Sequence, residues 1–158
     1  MDDDLLIRPL RDASDAEAFR RLNEIWITEH FALEEQDRQT LGDPFGTVVA
    51  HGGQVYVAAL GDQVVGTAAL VRHAAGVYQL AKMTVATEAR QRGVGRQLLA
   101  VVLAEARAMG AHRIFLGSST KLEAAVRLYE SFGFVHVPRE AIPELQYARA
   151  SVFMALTF

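Results

Sequence analysis

The chain reads Val85-Ala86-Thr87-Glu88-Ala89-Arg90-Gln91-Arg92-Gly93-Val94-Gly95-Arg96 where a predicted strand passes into a predicted long helix. The glycines of this stretch lack a Cβ, so backbone N–H groups in the loop can closely approach an anion. The helix that follows directs the positive end of its dipole at the same loop, which favours negative charge there. Its arginines add cations, which suit a diphosphate better than a single carboxylate. The stretch therefore predicts a phosphate-binding loop, with a plain helix entry and solvated arginines as the alternative.

Two common phosphate-binding loops do not match this stretch. A Walker loop requires Gly-x-x-x-x-Gly-Lys-Ser/Thr, and neither that spacing nor the lysine is present. A dinucleotide-binding fingerprint requires a third small residue, and Leu98 stands at that position. A nucleotide-binding domain is therefore the weakest of the functional hypotheses.

Outward from the loop, strand patterns and helix patterns follow one another. Strands are predicted over residues 5–10, 54–60, 64–72, 77–85, 113–117, 134–137 and 150–156. Helices are predicted over residues 14–30, within 32–42, from the loop to about 109, and over 122–132. A capping box of Ser14 and Glu17 is expected to start the first helix. That helix is expected to bury one apolar face, made of Ala18, Leu22, Ile25 and Trp26.

Length and composition fit one ordinary globular domain of the mixed α/β class. The chain has 158 residues, and about 150 residues per domain is usual, so residues 1–158 are expected to form a single domain. Hydrophobic residues make up 51% and charged residues 22%, which argues against extended disorder. The net charge of −3 lacks the basic excess that general nucleic-acid binding needs, so we expect no nucleic-acid partner.

Other features of the sequence exclude further kinds of chemistry. The chain has no cysteine, which rules out disulfides, thiolate metal sites and a cysteine nucleophile. Its histidines lack paired metal-binding spacing, so no metal is predicted. The longest aliphatic run, residues 98–104, is too short to span a membrane, and the acidic residues 2–4 do not resemble a signal peptide. These features predict a cytoplasmic protein with no membrane partner.

Three motifs of the chain point to the same family. They are Arg90-x-x-Gly93-x-Gly95, the run Leu-Ala-Lys-Met-Thr-Val at residues 80–85, and the run Ala-Val-Arg-Leu-Tyr-Glu-Ser-Phe-Gly-Phe at residues 125–134. In that order, they resemble the coenzyme A pyrophosphate loop, the fourth strand and the Ala-x-x-Leu-Tyr-Glu-x-x-Gly-Phe signature of the GNAT superfamily of N-acetyltransferases. The resemblance implies the GNAT fold, a mixed and mostly antiparallel twisted sheet of about seven strands flanked by about four helices. In that fold the sheet splays between the fourth and fifth strands.

The resemblance also implies acetyl-CoA as the cosubstrate and assigns its contacts. Backbone groups of the bulged fourth strand would bind the pantetheine arm and face the thioester oxygen, while loop amides would hold the pyrophosphate. The implied cofactor-binding residues are Met83, Thr84, Val85, Arg90, Gln91, Arg92, Gly93, Val94, Gly95 and Arg96. Tyr129 corresponds to the tyrosine near the sulfur and would be the catalytic acid that protonates the leaving thiolate. Without the resemblance, a core tyrosine bonded to a backbone acceptor would be favoured.

The implied reaction is acetyl transfer to the primary amine of a small molecule or a peptide. Because no cysteine is present, direct attack in a ternary complex is more economical than a covalent acyl-enzyme, although a serine intermediate stays open. The fourth strand offers no ready base, so the amine proton is expected to leave through ordered water. The alternative function is a non-catalytic acyl-CoA-binding sensor or regulatory module. The family also suggests a homodimer.

Acceptor-binding residues are expected near the end of the first helix and in the segment after it. The candidates are Glu29, His30 and Glu34, each with a solvated helix residue as the alternative. Trp26 can form a wall of the acceptor pocket, but its helical spacing favours a place in the core. The acidic residues around Glu34, among them Asp37, can attract a cationic amine, although a solvated helix face explains them more simply.

Overall fold

The computed structural model describes residues 4–90, 92–145 and 147–158. The strands are β1 (Leu5–Pro9), β2 (Gln54–Leu60), β3 (Gln63–Ala74), β4 (Val77–Val85), β5 (Arg113–Ser118), β6 (Val135–His136) and β7 (Val152–Thr157). The α-helices are α1 (Ala13–His30), α2 (Glu35–Gly42), α3 (Pro44–Thr47), α4 (Val94–Ala108) and α5 (Glu123–Ser131). The elements form the mixed α/β architecture that the sequence predicts.

All seven strands belong to one sheet, in the order β1-β2-β3-β4-β5-β7-β6. Neighbouring strands are antiparallel, except for β4 and β5, which run in parallel. These two strands pair only where residues 77–79 face residues 113–115, so the remainder of β4 is not bonded to β5. The predicted splay between the fourth and fifth strands is thereby confirmed.

The two faces of the sheet bury different residues because successive side chains of a strand point to opposite sides. Tyr56 and Ala58 of β2 pack in the same cluster as the apolar face of α4. All members of that face are buried: Val94, Leu98, Leu99, Val102, Leu103 and Ala106. Val55 and Val57 pack instead in the cluster that contains Phe19 of α1. Helices therefore pack on both faces of the sheet.

The start of α1 differs from the prediction. Its N-cap is Asp12, whose Oδ1 accepts a hydrogen bond of 2.9 Å from the Asp15 N–H, whereas Ser14 lies inside the helix. Glu17 bonds to Arg20 rather than closing a capping box. Ile25 is 50% exposed, so the predicted apolar face was wrong at that position. Asp12 stands nearer to the end of β1 and begins the helix before Ser14 can act as its cap.

Candidate active site

A cleft of about 400 Å³ opens where β4 and β5 separate. Its walls come from the end of α1, from β4, β5 and α5, and from the segment between β6 and β7. The residues that line it include Trp26, His30, Phe31, Lys82, Met83, Thr84, Val85, Arg90, Lys121, Tyr129, Tyr147 and Arg149. An unbonded strand edge beside a cleft of this kind can pair with the amide groups of an extended ligand.

A β-bulge shapes the β4 side of the cleft. Thr67 of β3 pairs with Thr84, and Ala69 pairs with Ala81, so Lys82 and Met83 together face the one residue between. Lys82 has a φ of 54°, in the left-handed region that non-glycine residues rarely adopt. Such a bulge interrupts the regular alternation of the strand and redirects its backbone groups. The structure therefore contains the bulge that the family resemblance implies for this strand.

A chain of buried hydrogen bonds holds the bulge from its core side. The Trp26 Nε1–H donates to Asn23 Oδ1 over 3.0 Å, and Asn23 Nδ2 donates to Thr67 Oγ1 over 3.0 Å. The Thr67 hydroxyl then donates to the Lys82 carbonyl oxygen over 2.9 Å. Asn23 and Thr67 are fully buried, where loss of such a bond would leave a polar group unsatisfied. The wall of the cleft at Trp26 and the bulge in β4 are therefore parts of one network.

The predicted phosphate loop lies at the start of α4. Gly93 is the N-cap with a φ of 77°, and the first backbone bond runs from the Gln97 N–H to the Gly93 carbonyl. The N–H groups in the first turn of a helix have no partner within the helix itself. A Cβ on Gly95 would lie 3.7 Å from Leu128 and 3.8 Å from Val85, and both of these residues line the cleft. The loop therefore adjoins the cleft.

Some of the other predicted cofactor residues line the cleft and some do not. Met83, Thr84, Val85 and Arg90 line the cleft. The Arg90 Nε–H donates to the Val85 carbonyl oxygen over 3.0 Å, which ties the loop back to β4.

Among the described residues of this loop, Arg92, Val94 and Arg96 lie outside the lining of the cleft. Val94 is buried in the core under α4, and Arg92 and Arg96 are exposed. The Arg96 guanidinium lies 5.4 Å from the centre of the Phe132 ring. Gln91, also predicted to bind the cofactor, lies outside the described residues. Exposed arginines such as Arg92 and Arg96 have side chains long enough to reach phosphate oxygens near the loop.

Tyr129 of α5 lines the cleft and is 8% exposed. Burial raises the pKa of its phenol to about 12, and no hydrogen bond or charge from the described residues contributes to that shift. The backbone acceptor that a purely structural tyrosine would use is therefore not found within this part of the chain. With that pKa the hydroxyl keeps its proton at neutral pH and can act as an acid.

The three predicted acceptor residues occupy different surroundings. His30 lines the cleft at the end of α1. Glu29 is exposed on α1 and is not brought to the cleft. Glu34 precedes α2 and lies behind the lining, where its Oε1 accepts a hydrogen bond from the Ala148 N–H over 3.2 Å and its Oε2 lies 3.6 Å from Arg149 Nη1.

Four hydrogen-bonded residues, here called the Asp37 cluster, lie at the Phe31 end of the cleft: Asp37, Lys82, Tyr147 and Arg149. Lys82 Nζ donates to Asp37 Oδ1 over 2.6 Å and to the Tyr147 hydroxyl over 2.8 Å. Arg149 binds both oxygens of Asp37, over 2.6 Å and 2.8 Å. The Asp37 side chain is 0% exposed and that of Lys82 is 2% exposed, so the solvated acidic face expected at Asp37 was wrong.

Opposing effects set the protonation of Asp37. Burial alone would raise the pKa of its carboxyl group. The hydrogen bonds from Arg149 and the charge and hydrogen bond of Lys82 outweigh burial and lower this pKa to about 2. Asp37 is therefore an anion at neutral pH, held between two cations.

Sequence reasoning missed the role of Tyr147 and Arg149, and it considered Lys82 only as a residue that is not a base. One signal was available, because Lys82 stands inside the apolar run of β4. A lysine is almost never fully buried unless it is paired, so a buried partner was to be expected. Its partners are 45 and 65 residues away along the chain, and no local pattern identifies them.

Aromatic residues line the cleft next to the Asp37 cluster, with the Arg149 guanidinium 6.0 Å from the centre of the Phe31 ring. Trp26 is half-buried: it packs against the core cluster that contains Phe19, lines the cleft and meets the edge of Phe31 at a ring separation of 6.2 Å. Lys121 Nζ lies 4.8 Å from the centre of the Phe31 ring and donates to the His30 carbonyl oxygen over 3.3 Å. His30 is the last residue of α1, and the C-terminal end of a helix carries the negative end of the helix dipole. The positive charge of Lys121 is therefore favourable there.

Two further findings concern only the residues that the structure describes. No group of three or more metal-ligating side chains occurs among residues 4–90, 92–145 and 147–158. Within the same ranges, no helix is both long enough and apolar enough to cross a lipid bilayer.

Known structures share this fold. An acetyltransferase of the GNAT family from Staphylococcus aureus Mu50 superposes with a TM-score of 0.88 at 21% identity, over 98% of this chain and 99% of that chain. The structure of yncA from Salmonella typhimurium with its cofactor acetyl-CoA gives a TM-score of 0.74 at 23% identity, over 97% and 93% of the two chains. A Bacillus subtilis acetyltransferase in complex with CoA gives 0.71 at 17% identity, over 98% and 99%.

Sequence comparison identifies the family directly. No curated protein matches the sequence. Residues 16–134 match the model of the Acetyltransferase (GNAT) family, and this range extends from α1 through the loop before α4 to the end of the α5 signature. The match covers well over half of the chain and includes the splayed strands that form the cleft. The chain therefore belongs to the GNAT family of acetyltransferases and is an acyltransferase.

Proposed function

We propose that the protein transfers an acetyl group from acetyl-CoA to the primary amine of a small molecule or a peptide, by direct attack in a ternary complex. Tyr129 carries this proposal, because it is a buried tyrosine on the cleft wall whose hydroxyl has no partner among the described residues. Such a hydroxyl is available for proton transfer, since it is not committed to holding the core together. Family membership supports the reaction class.

The residues around the cleft fit acetyl-CoA. The edge of β4 beyond residue 79 is not bonded to β5, so its backbone groups can pair with the amides of the pantetheine arm. The first-turn N–H groups of α4, together with Arg90, Arg92 and Arg96, can hold the pyrophosphate. When bound, acetyl-CoA supplies an activated thioester. We assign to the backbone N–H of Met83, in the bulge, the role of facing the thioester oxygen and stabilising the negative charge that develops on it.

The proposed transfer moves one acyl group and two protons. The amine nitrogen bonds to the acetyl carbon while the carbon–sulfur bond breaks and its electron pair goes to sulfur. Tyr129 gives its phenolic proton to that sulfur, and the attacking nitrogen loses its extra proton to ordered water. Solvent then returns a proton to Tyr129, whose pKa of about 12 restores the acid at neutral pH.

The test is the Tyr129→Phe variant, with acetyl-CoA binding and thiol release measured on the same sample. We expect turnover to fall about 100-fold or more while acetyl-CoA affinity stays nearly unchanged, because only the acid is lost. Tyr56→Phe is the matched control, since Tyr56 is buried on β2 and its hydroxyl contacts the Met109 sulfur.

Titration calorimetry with acetyl-CoA, ATP and NAD on the unmodified protein precedes the variants. Selective binding of acetyl-CoA followed by amine-dependent thiol release would support the proposal. Selective binding with no release from any amine would favour the sensor function instead. Equal binding of ATP or NAD would overturn the cofactor assignment, and unchanged turnover in Tyr129→Phe would remove Tyr129 from the mechanism.

Several expectations from the sequence stay predictions. They are the single domain over residues 1–158, the cytoplasmic location, the homodimer, and the absence of a metal. Light scattering of the purified protein measures the oligomeric state, and turnover after treatment with a chelator tests the metal requirement.

A further inference from the structure

The Asp37 cluster places its cations on the cleft and its anion behind them. Lys82 and Arg149 line the cleft, whereas Asp37 is fully buried and does not. Arg149 is 14% exposed, so it also lies largely out of water. Charged groups that are withdrawn from water act more strongly on a ligand than solvated ones.

Both cations keep hydrogen-bond donors that the cluster does not use. An ammonium has three donors, and Lys82 uses two of them, on Asp37 and on the Tyr147 hydroxyl, within the described residues. A guanidinium has five donors, and Arg149 uses two of them on Asp37 in the same part of the chain. Donors remain on each side chain for a ligand in the cleft.

The charge of this end of the cleft does not balance. Lys82 and Arg149 bring two positive charges, and the two carboxylates beside them, Asp37 and Glu34, bring two negative charges, so this group is neutral. Lys121, which is exposed beside Phe31 on the same cleft, adds one further positive charge. A ligand with one negative charge would neutralise this excess.

We propose that Lys82 and Arg149 bind a carboxylate of the acceptor, so that the acceptor is an amine that also carries a carboxylate group, as an amino acid does. This inference rests on the proposed acetyl transfer and names the class of its acceptor. A carboxylate matches the single excess charge, whereas a phosphate dianion would exceed it. Lys82 neighbours Met83 in the bulge, so the bound carboxylate would lie beside the segment assigned to the thioester.

The first test compares matched acceptors on the unmodified protein. The pairs are phenylalanine with its amide, leucine with its amide, and each amino acid with the corresponding decarboxylated amine. The apolar members are chosen because Trp26 and Phe31 wall the same end of the cleft. We expect the free amino acids to give a kcat/KM for thiol release about 10-fold or more above that of their uncharged partners, because a charge-assisted hydrogen bond is lost.

A binding measurement accompanies the kinetics, so that a panel without a good substrate still gives an answer. Each compound is titrated into the protein saturated with coenzyme A. Binding of the amino acids in preference to their amides supports the proposal. Equal or stronger binding and turnover of the amides or decarboxylated amines overturns it and leaves the acetyl transfer standing. Failure of acetyl-CoA to bind counts against the proposed function itself.

The Arg149→Gln variant tests whether Arg149 is responsible for the preference for acceptors that carry a carboxylate. We expect it to lower kcat/KM about 10-fold or more for the amino acid but little for the matching amide, with Arg149→Lys restoring part of the preference. Arg38→Gln is the control, because Arg38 is an exposed arginine of α2 that pairs with Glu35. An equal loss with both acceptors would show that Arg149 only supports the fold. If Arg149→Gln does not fold, the acceptor pairs on the unmodified protein decide.

Discussion

Gly93, the N-cap of α4, has a backbone conformation that favours glycine. Its φ of 77° lies in the left-handed region, and its surroundings leave room for a side chain, since the nearest atom to a Cβ would be 3.8 Å away. The glycine is therefore required by its backbone angle rather than by crowding. A β-branched residue there would shift the backbone to a more favourable angle and redirect the N–H groups that follow it.

We predict that Gly93→Val weakens acetyl-CoA binding about 10-fold or more, because strain of about 1–2 kcal/mol displaces the loop amides. Titration calorimetry measures the affinity. Gly110→Val is the matched control, since Gly110 has a φ of 91° at the opposite end of α4, with open space around it. Both variants should lose stability, but only Gly93→Val should lose affinity. Unaltered binding in a folded Gly93→Val protein would mean that the phosphates are held elsewhere.

The bulge in β4 depends on a neighbouring strand and on a helix. Thr67 of β3 binds the Lys82 carbonyl, and Asn23 of α1 holds the Thr67 hydroxyl in turn. Because Met83 follows Lys82 within the bulge, a change in this support would move the backbone N–H assigned to the thioester oxygen. Thr67 is in this sense a positioning residue.

We predict that Thr67→Val lowers turnover about 10-fold to 100-fold, because a shift of about 1 Å at the bulge misplaces the oxyanion donor. The KM for acetyl-CoA should change much less, because the pantetheine and pyrophosphate contacts remain. Thr67→Ser keeps the hydroxyl and should restore turnover. The variant should also lose about 1–3 kcal/mol of unfolding free energy, since a buried carbonyl loses its partner. A folded Thr67→Val protein with normal kcat would rule out this role.

The existence and order of the elements were predictable because they depend on local patterns. The strand pattern of β2 and the helix pattern of α4 are properties of neighbouring residues, and both elements are confirmed. The start of α1 was not predicted, because Asp12 and Ser14 are both good caps and the end of β1 decides between them. The short helix α3 was expected as a turn, but Asp43 caps it through the Gly46 N–H.

At the scale of the whole molecule, the Asp37 cluster joins segments that are far apart in sequence. Arg149 is 112 residues from Asp37, and Lys82 is 45 residues from it. Glu34, His30 and Tyr129 could be proposed from local position or from family motifs, whereas this cluster could not. Only the fold brings α2, β4 and the segment before β7 to the same point.

The stability of the molecule should depend on the ionisation of Asp37. Its pKa is about 2 in the folded protein and about 4 in an unfolded chain, so the folded state holds the proton less tightly. The resulting stabilisation is complete above about pH 5 and is lost as the pH falls toward 2. We predict a contribution of about 2 kcal/mol to the unfolding free energy, measured by urea denaturation over this pH range.

Asp37→Asn isolates this contribution. It should be destabilised by about 3–5 kcal/mol at neutral pH, because it leaves buried cations without their counter-ion. The difference from the unmodified protein should shrink by about 2 kcal/mol on acidification, since the protonated carboxyl group then resembles the amide. Asp62→Asn, in the exposed turn between β2 and β3, should give a curve parallel to the unmodified protein. A difference that does not change with pH would contradict the assignment.

The segment between β6 and β7 supplies both Tyr147 and Arg149 to the acceptor end, whereas the residues assigned to acetyl-CoA lie on β4, α4 and α5 and in the loop before α4. On these assignments, the segment that carries Arg149 affects only the acceptor, whereas β4 contributes to both, through Lys82 for the acceptor and Met83 for the donor. Recombination or loop grafting could exchange that segment and keep β4. Asp37 restricts that exchange. Its carboxylate lies on α2, so any new segment between β6 and β7 must supply a cation in place of Arg149 to pair with it.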